Sequence, residues 1–249
     1  MQVVAFDRSR NAAQQAHALL REWILTGKLR PGEGISEPSM ATMLGISRTP
    51  VREVFKRLEA EGLVEIYPQI GTIIAPIDPN KVRDAQFVRE TLEVRTIGLA
   101  ALLGSSDQHR ALKDILVRQK ALVKARDVHG FMDADDALHE QLSVMAGHPF
   151  SWQVIAAAKA QLDRVRHLSL SDPSWLAMIY DEHCTIAEAV IARNEKRARA
   201  AMEVHQRSIF SAVERLTQQD PLLVKAVEQA GVPSLLFPAA KETKRGKRS

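Results

Sequence analysis

Hydrophobic residues recur at helical spacing through most of the chain. Ala16, Leu19, Leu20, Trp23 and Ile24 share one face of a segment covering about residues 12–25, which stops at Thr26 and Gly27. Residues 29–35 are punctuated by Pro31, Gly32 and Gly34 and predict turns. A short helix is predicted over 37–44, ended by Gly45. The next runs from Ser47 to about Glu61, before Gly62. Its Val51, Val54, Phe55 and Leu58 fall at i, i+3, i+4 and i+7, a stripe that can bury itself. The pattern then changes. Residues 63–67 and 72–75 predict two short strands, with 68–71 as the hairpin tip. Three helices followed by a hairpin predict a winged helix-turn-helix over 1–77.

Residues 77–80 predict a linker and the cap of a new helix. From there the spacing stays helical, over 81–103, 107–129, 131–146, 149–168, 173–193 and 195–217, with short Gly, Pro, Asn or Asp breaks between. The fold class expected is mainly α, with a second, all-α helical-bundle domain over 78–220. Residues 221–249 predict a C-terminal extension ending in a disordered basic tail.

Composition narrows the function classes. Apolar residues make up 45% of the 249, aromatics only 5%, which favours packed helices over disorder. Cys184 is the single cysteine, so no intrachain disulfide can form. The first 15 residues lack the apolar core of a secretory signal, and no uncharged apolar run reaches the ~18 residues of a membrane span. A cytoplasmic protein with no membrane partner is expected. Net charge is +4, but residues 1–77 carry nine Lys/Arg against eight Asp/Glu, residues 78–220 nineteen against twenty, and residues 221–249 six against two. The surplus therefore sits in the tail. Evidence for a nucleic-acid partner has to come from local placement of charge.

That placement is found in the third helix. Arg48, Arg52 and Lys56 follow at i, i+4 and i+8, a basic stripe separate from the apolar one. Ser47 or Thr49 can cap the start, and Pro50 is tolerated in the first turn. Two arginines thus lie at the positive end of a capped helix, where a recognition helix makes its base contacts, and Arg can donate bidentately to guanine. Lys56, further along, reaches a phosphate at most. The plain alternative is a solvated face in which Glu and Lys/Arg support one another.

A second constellation lies in the helical domain. Asp135 and His139 are i, i+4 and share a face flanked by Met132, Leu138 and Leu142. His183 is followed by Ile186, Ala187 and Val190, and His205 sits among Ala201, Met202 and Ile209. Three histidines and a carboxylate therefore fall on the apolar stripes of three helices. A divalent cation would satisfy all four; imidazole suits Zn, Ni, Cu or Fe, and the carboxylate admits Mn. Alternatively, each histidine is simply hydrogen-bonded in a core.

The run Gly27-Lys28-Leu29-Arg30-Pro31-Gly32, then Ser36-Glu37, Leu44 to Glu53, Leu58 to Val64, and Gly71, resembles the GntR-type winged-helix regulators over about residues 10–77. The resemblance implies operator contacts for Ser47, Arg48, Thr49 and Arg52, and a minor-groove role for the wing near Gly71. Pro38 stands where many members carry a polar or basic residue that touches DNA, and the wing tip, Pro68-Gln69-Ile70, has no basic residue. The second domain resembles the FCD domain of the FadR-type subfamily through Val88 to Glu93, Asp135 and His139, Gly147-His148-Pro149, Glu182-His183, and His205. That likeness implies a divalent metal, zinc first and Ni, Mn or Fe as alternatives, on Asp135, His139, His183 and His205. It also implies a small carboxylate effector beside the metal. Arg89 is a candidate clamp for the effector, or else an i, i+4 partner of Glu93; Arg164 and Arg166 are further candidates.

The expectation is therefore a homodimeric, metabolite-responsive repressor of double-stranded operator DNA, dimeric because helix-turn-helix proteins read pseudo-palindromes. The alternative is a metal-dependent all-α hydrolase fused to a DNA-binding module. The signals of such an enzyme are missing: there is no adjacent His-Asp pair, and His139-Glu140 is not followed by a second histidine at the HExxH spacing.

Overall fold

The structure, a computed structural model, describes residues 11–226. Helix α1, Ala12–Leu25, starts where the Asn11 side chain accepts from Ala13 N at 2.9 Å. Helix α2, Glu37–Leu44, is capped by the Ser36 hydroxyl and ends at Gly45. Gly45 has φ +65°, a left-handed turn that a side chain resists, and it redirects the chain into α3, Arg48–Ala60. Val51, Val54, Phe55 and Leu58 of α3 pack with Leu20, Trp23 and Ile24 of α1 and Leu44 of α2 in one core. Fully burying each such side chain is worth about 1.5–3 kcal/mol, so this stripe fixes the rotation of α3 and leaves its charged face outward.

Two strands, β2 (Val64–Tyr67) and β3 (Gly71–Ile74), form the expected hairpin. The structure adds a strand that periodicity did not show. The two-residue β1, Gly34–Ile35, pairs antiparallel with the other edge of β3, giving the order β1-β3-β2. The turn-rich stretch at 29–35 thus supplies backbone partners that β3 would otherwise lack: Gly32 N donates to Ile74 O, and Ile74 N to Glu33 O, both at 2.9 Å. At the tip, Gly71 has φ +138° and Gln69 φ +65°.

Seven helices follow: α4 (Pro79–Leu103), α5 (Ser106–Ala125), α6 (Val128–Met145), α7 (Pro149–Ala158), α8 (Ala160–Leu170), α9 (Pro173–Ile191) and α10 (Glu195–Gln219). Asp78 caps α4, and Ser105 with Gln108 makes a capping box on α5. Ile97, Ala100, Leu138, Leu142, Ile186, Val190 and Met202 form the core between α4, α6, α9 and α10.

The single helix expected over 149–168 is divided at Lys159. Nothing in Ala156-Ala157-Ala158-Lys159-Ala160 breaks a helix locally. The Lys159 ammonium is drawn into the interior by Asp136 Oδ2 at 2.6 Å and Asp163 Oδ1 at 2.8 Å, so tertiary ion pairing overrides propensity there. After α10 the chain turns back, and Val224 bridges Ile77 in parallel: Ile77 N donates to Leu223 O and Lys225 N to Ile77 O, both at 2.8 Å. The basic tail expected to be disordered lies outside the described residues. Among the described residues, no helix is long and apolar enough to cross a membrane.

Candidate metal centre and nucleic-acid interface

Helix α6 presents Asp135 and His139, α9 presents His183, and α10 presents His205. All four converge in the interior, and the three histidines each place a ring nitrogen within 4.8 Å of the others. Their exposures are 1%, 0% and 5%. Asp135 lies beside this trio. Its Oδ1 is 3.5 Å from His183 Nε2, its Oδ2 is 3.7 Å from His139 Nε2, and the same Oδ2 accepts from Arg166 Nη2.

His183 and His205 are held through Nδ1, and His139 through Nε2. His183 Nδ1 meets Gln119 Oε1 at 2.9 Å, and the Gln119 amide is fixed in turn because its Nε2 donates to Ala134 O at 3.0 Å. His205 Nδ1 meets Glu182 Oε2 at 2.8 Å. Glu93 Oε2 lies 2.9 Å from His139 Nδ1, with the ring turned off the line of a straight hydrogen bond. A carboxylate or amide oxygen on Nδ1 fixes the tautomer in which Nε2 carries a lone pair. His139 Nε2 receives Arg89 Nη2 at 2.8 Å, whereas His183 Nε2 is buried with no hydrogen-bond partner. An orphaned, inward-facing lone pair is costly unless something binds it.

Electrostatics follow from burial. Desolvation lowers the His183 imidazole well below the ordinary range, although Asp135 opposes this, and lowers His205 to about 3, with His139 contributing. Burial alone raises Glu182 to about 7. Desolvation disfavours the Glu93 carboxylate, but Arg89 and His139 outweigh it and hold the group at about 2. Desolvation likewise opposes the Asp135 carboxylate, and Arg166 and His139 outweigh it and hold the group well below the usual carboxylate range. The folded protein thus resists protonating His183 and His205, while the unfolded chain takes up those protons near the ordinary histidine value of 6.5. As pH falls through that value, the unfolded state binds two protons that the folded state refuses, against one that the folded state takes up first at Glu182, and stability drops. Protonation of Glu93 and Asp135 at lower pH adds to the loss. Metal-free protein is therefore expected to melt at a lower temperature at pH 5 than at pH 7, as scanning calorimetry in a chelator would record; equal or higher melting at pH 5 would contradict it.

Among the candidate clamps, Arg89 forms the ion pair with Glu93 that was its alternative role and also lines a cleft. Its Nε pairs with Glu93 Oε1 at 3.0 Å, and its guanidinium lines a narrow cleft beside His205. Arg166 lines the same cleft, with Gln86, Ser169 and Gln206 as polar neighbours and Trp175 and Ile209 as apolar ones. Arg164 does not reach it, which corrects the expectation. Its Nη1 donates to Ala75 O in the junction between the two domains, and desolvation lowers it to about 10. Residues two apart on a helix differ by about 200°, so Arg164 and Arg166 cannot both face the cleft. Gln86, Gln119 and Gln206 escaped the sequence reading; a glutamine on a helix carries no signal that it points inward.

The second surface lies at the start of α3. Ser47, Arg48, Thr49, Arg52 and Lys56 are all exposed there, and Gly71 is exposed on the wing. Ser47 occupies the cap position but makes no side-chain cap bond, so the expected capping role is absent at this exposed residue. Arg52 is held bidentately by Glu37, Nε to Oε1 at 2.8 Å and Nη2 to Oε2 at 2.9 Å. No acidic residue occupies the first turn of α3, so the positive helix terminus and Arg48 add to one another.

The family described as bacterial regulatory proteins, gntR family, matches residues 12–74, and the FCD domain matches residues 84–208. An uncharacterized HTH-type transcriptional regulator in an unstable DNA locus of Streptomyces ambofaciens is 38% identical, covering 92% of this chain and 96% of its own length. The HTH-type transcriptional repressor RspR of Escherichia coli (strain K12) is 30% identical, covering 83% and 91%. Among solved structures, E. coli McbR/YncC matches with TM-score 0.67 at 18% identity, covering 83% of this chain and 99% of that one. Lar of Listeria monocytogenes matches with TM-score 0.58 at 18% identity, covering 84% and 100%.

Proposed function

Since the chain belongs to the GntR family of bacterial regulatory proteins and carries an FCD domain, we propose that it is a homodimeric repressor controlled by a small carboxylate bound beside a divalent metal. That it is a DNA-binding transcriptional regulator and not an enzyme follows from the family and from its relatives. Repression is suggested by the relative RspR, which is named a repressor. A dimer suits a recognition helix that reads half-sites of a pseudo-palindrome. In this reading residues 1–77 read DNA through Ser47, Arg48, Thr49, Arg52, Lys56 and the wing near Gly71. Residues 78–220 sense the effector.

The observation that carries the metal is the shared orientation of the imidazoles. Three oxygens, from Gln119, Glu182 and Glu93, stand at the Nδ1 atoms, and His183 Nε2 is buried with nothing to bind. His139, His183, His205 and Asp135 would hold the ion, and a donor set of three imidazoles and a carboxylate suits zinc, with nickel, iron or manganese as alternatives. A bound cation supplies positive charge for an anionic ligand. Arg89 and Arg166 would meet the remainder of that ligand, a guanidinium being the natural bidentate partner of a carboxylate.

Elemental analysis of the purified protein is expected to find about one equivalent of divalent metal per chain. Gln119→Met removes the acceptor from His183 Nδ1 while nearly preserving volume, and it is expected to weaken metal binding about 10- to 100-fold. A chain that takes up no metal, or a Gln119→Met protein that binds it as tightly as the unaltered one, would contradict this reading.

A further inference from the structure

Helix α8 stands between the histidine centre and the winged helix and makes polar contacts with both. Gln161 Nε2 donates to Gly62 O at 2.7 Å, just past the end of α3. Asp163 Oδ2 accepts from Arg21 Nη2 of α1 at 2.8 Å. Arg21 Nε in turn donates to Glu61 Oε2 at 3.0 Å, and Glu61 is the residue that terminates α3. Toward the centre, Asp163 Oδ1 accepts from Arg166 Nη1 at 3.2 Å, and Arg166 Nη2 donates to Asp135. An unbroken series of charged contacts therefore runs from Asp135 through Arg166, Asp163 and Arg21 to Glu61. The side chains of its inner members are 2%, 9% and 3% exposed, those of Arg21 and Glu61 27% and 24%. Salt screens such buried links far less than surface pairs.

We propose that Arg166, Asp163 and Arg21 are positioning residues through which cation occupancy of the histidine centre is felt at the end of the recognition helix. The proposal rests on the reading of that centre as a cation site. Positive charge placed beside Asp135 weakens the hold of that carboxylate on Arg166. The Arg166 guanidinium already faces two alternatives, Asp163 Oδ1 at 3.2 Å and Asp136 Oδ1 at 3.4 Å, and it shifts toward them. Asp163, also bound by Lys159 at 2.8 Å, is then more completely neutralised and attracts Arg21 less. Arg21 is left to Glu61, and α3 gains freedom relative to α8. A bound ion biases this equilibrium only as far as its affinity differs between the two arrangements.

The test uses metal-free full-length protein and zinc alone, with binding followed by calorimetry and the α3 amides by hydrogen exchange. Zinc binding is expected to change exchange at residues 57–62 by about 5-fold or more, the lower end of ordinary allosteric coupling. Arg21→Gln cuts the series at a partly exposed residue outside the centre. It is expected to bind zinc as the unaltered protein does and to lose the exchange response. Arg21→Met, which lacks any polar end, repeats the test if the glutamine variant folds poorly. Zinc binding without an exchange change in the unaltered protein overturns the relay and leaves the metal centre standing. Persistence of the response in either variant also overturns it. Absence of zinc binding removes both the centre and the relay.

Discussion

Replacing His183 with alanine is expected to strip the centre of its metal while leaving operator binding in place. His183 is fully buried, and its ring stacks on Phe131 with centroids 6.0 Å apart. Its Nε2 is buried with no hydrogen-bond partner. Losing a residue that merely orients a ligand costs about 10- to 100-fold in affinity. Losing the ligand itself is expected to cost more than about 100-fold on the same scale. Alanine also leaves a cavity, at a cost of roughly 2 kcal/mol or more in stability, so His183→Gln, which fills most of the space, should be measured alongside. Metal content and a zinc titration read the first effect, and an operator titration with and without effector reads the second. Unchanged metal affinity in both variants would refute the assignment of His183.

Arg48→Ala is expected to remove sequence-specific DNA binding. Arg48 is exposed at the first position of α3, where no acidic side chain competes for it within the first turn. A bidentate arginine–guanine contact is worth about 1–3 kcal/mol, and the proposed dimer on two half-sites would make it twice, so the expected loss is roughly 2–6 kcal/mol. That corresponds to roughly 30-fold to more than ten-thousand-fold in affinity. The loss should fall on operator far more than on unrelated DNA, since phosphate contacts remain. Fluorescence anisotropy with both duplexes distinguishes the cases, and equal weakening on the two would show that Arg48 contacts only the backbone. Arg52 differs from Arg48 in being gripped by Glu37, so Arg52→Ala also frees a carboxylate at the same surface.

Much of the fold was legible because local signals agreed with one another. The stripe Val51, Val54, Phe55, Leu58 gave both the presence and the rotation of α3, and two short apolar runs about a Pro-Gln-Ile-Gly turn announced the wing. The candidate ligands were legible because polar side chains interrupted apolar stripes on three helices. What escaped was set by partners distant in sequence. The strand Gly34–Ile35 is two residues long and exists only because β3 offers an edge. The break at Lys159 arises from carboxylates on α6 and α8, not from its neighbours. Gln86, Gln119 and Gln206 look like surface glutamines until their helices are placed. Arg164 and Arg166 are indistinguishable by composition, and only the rotation of α8 separates the one that meets Asp135 from the one that meets Ala75.

The bridge between Val224 and Ile77 has a bearing on how the protein is made. The winged helix leaves the ribosome first and has its own core, so it can fold while the rest is still being translated. The backbone bridge at Ile77, beside the helical domain, cannot close then, because the groups of Leu223 and Lys225 that grip Ile77 are synthesised nearly 150 residues later. A nascent chain therefore carries a finished DNA reader on a loose tether. The bridge at Ile77 forms only once residue 225 has been added.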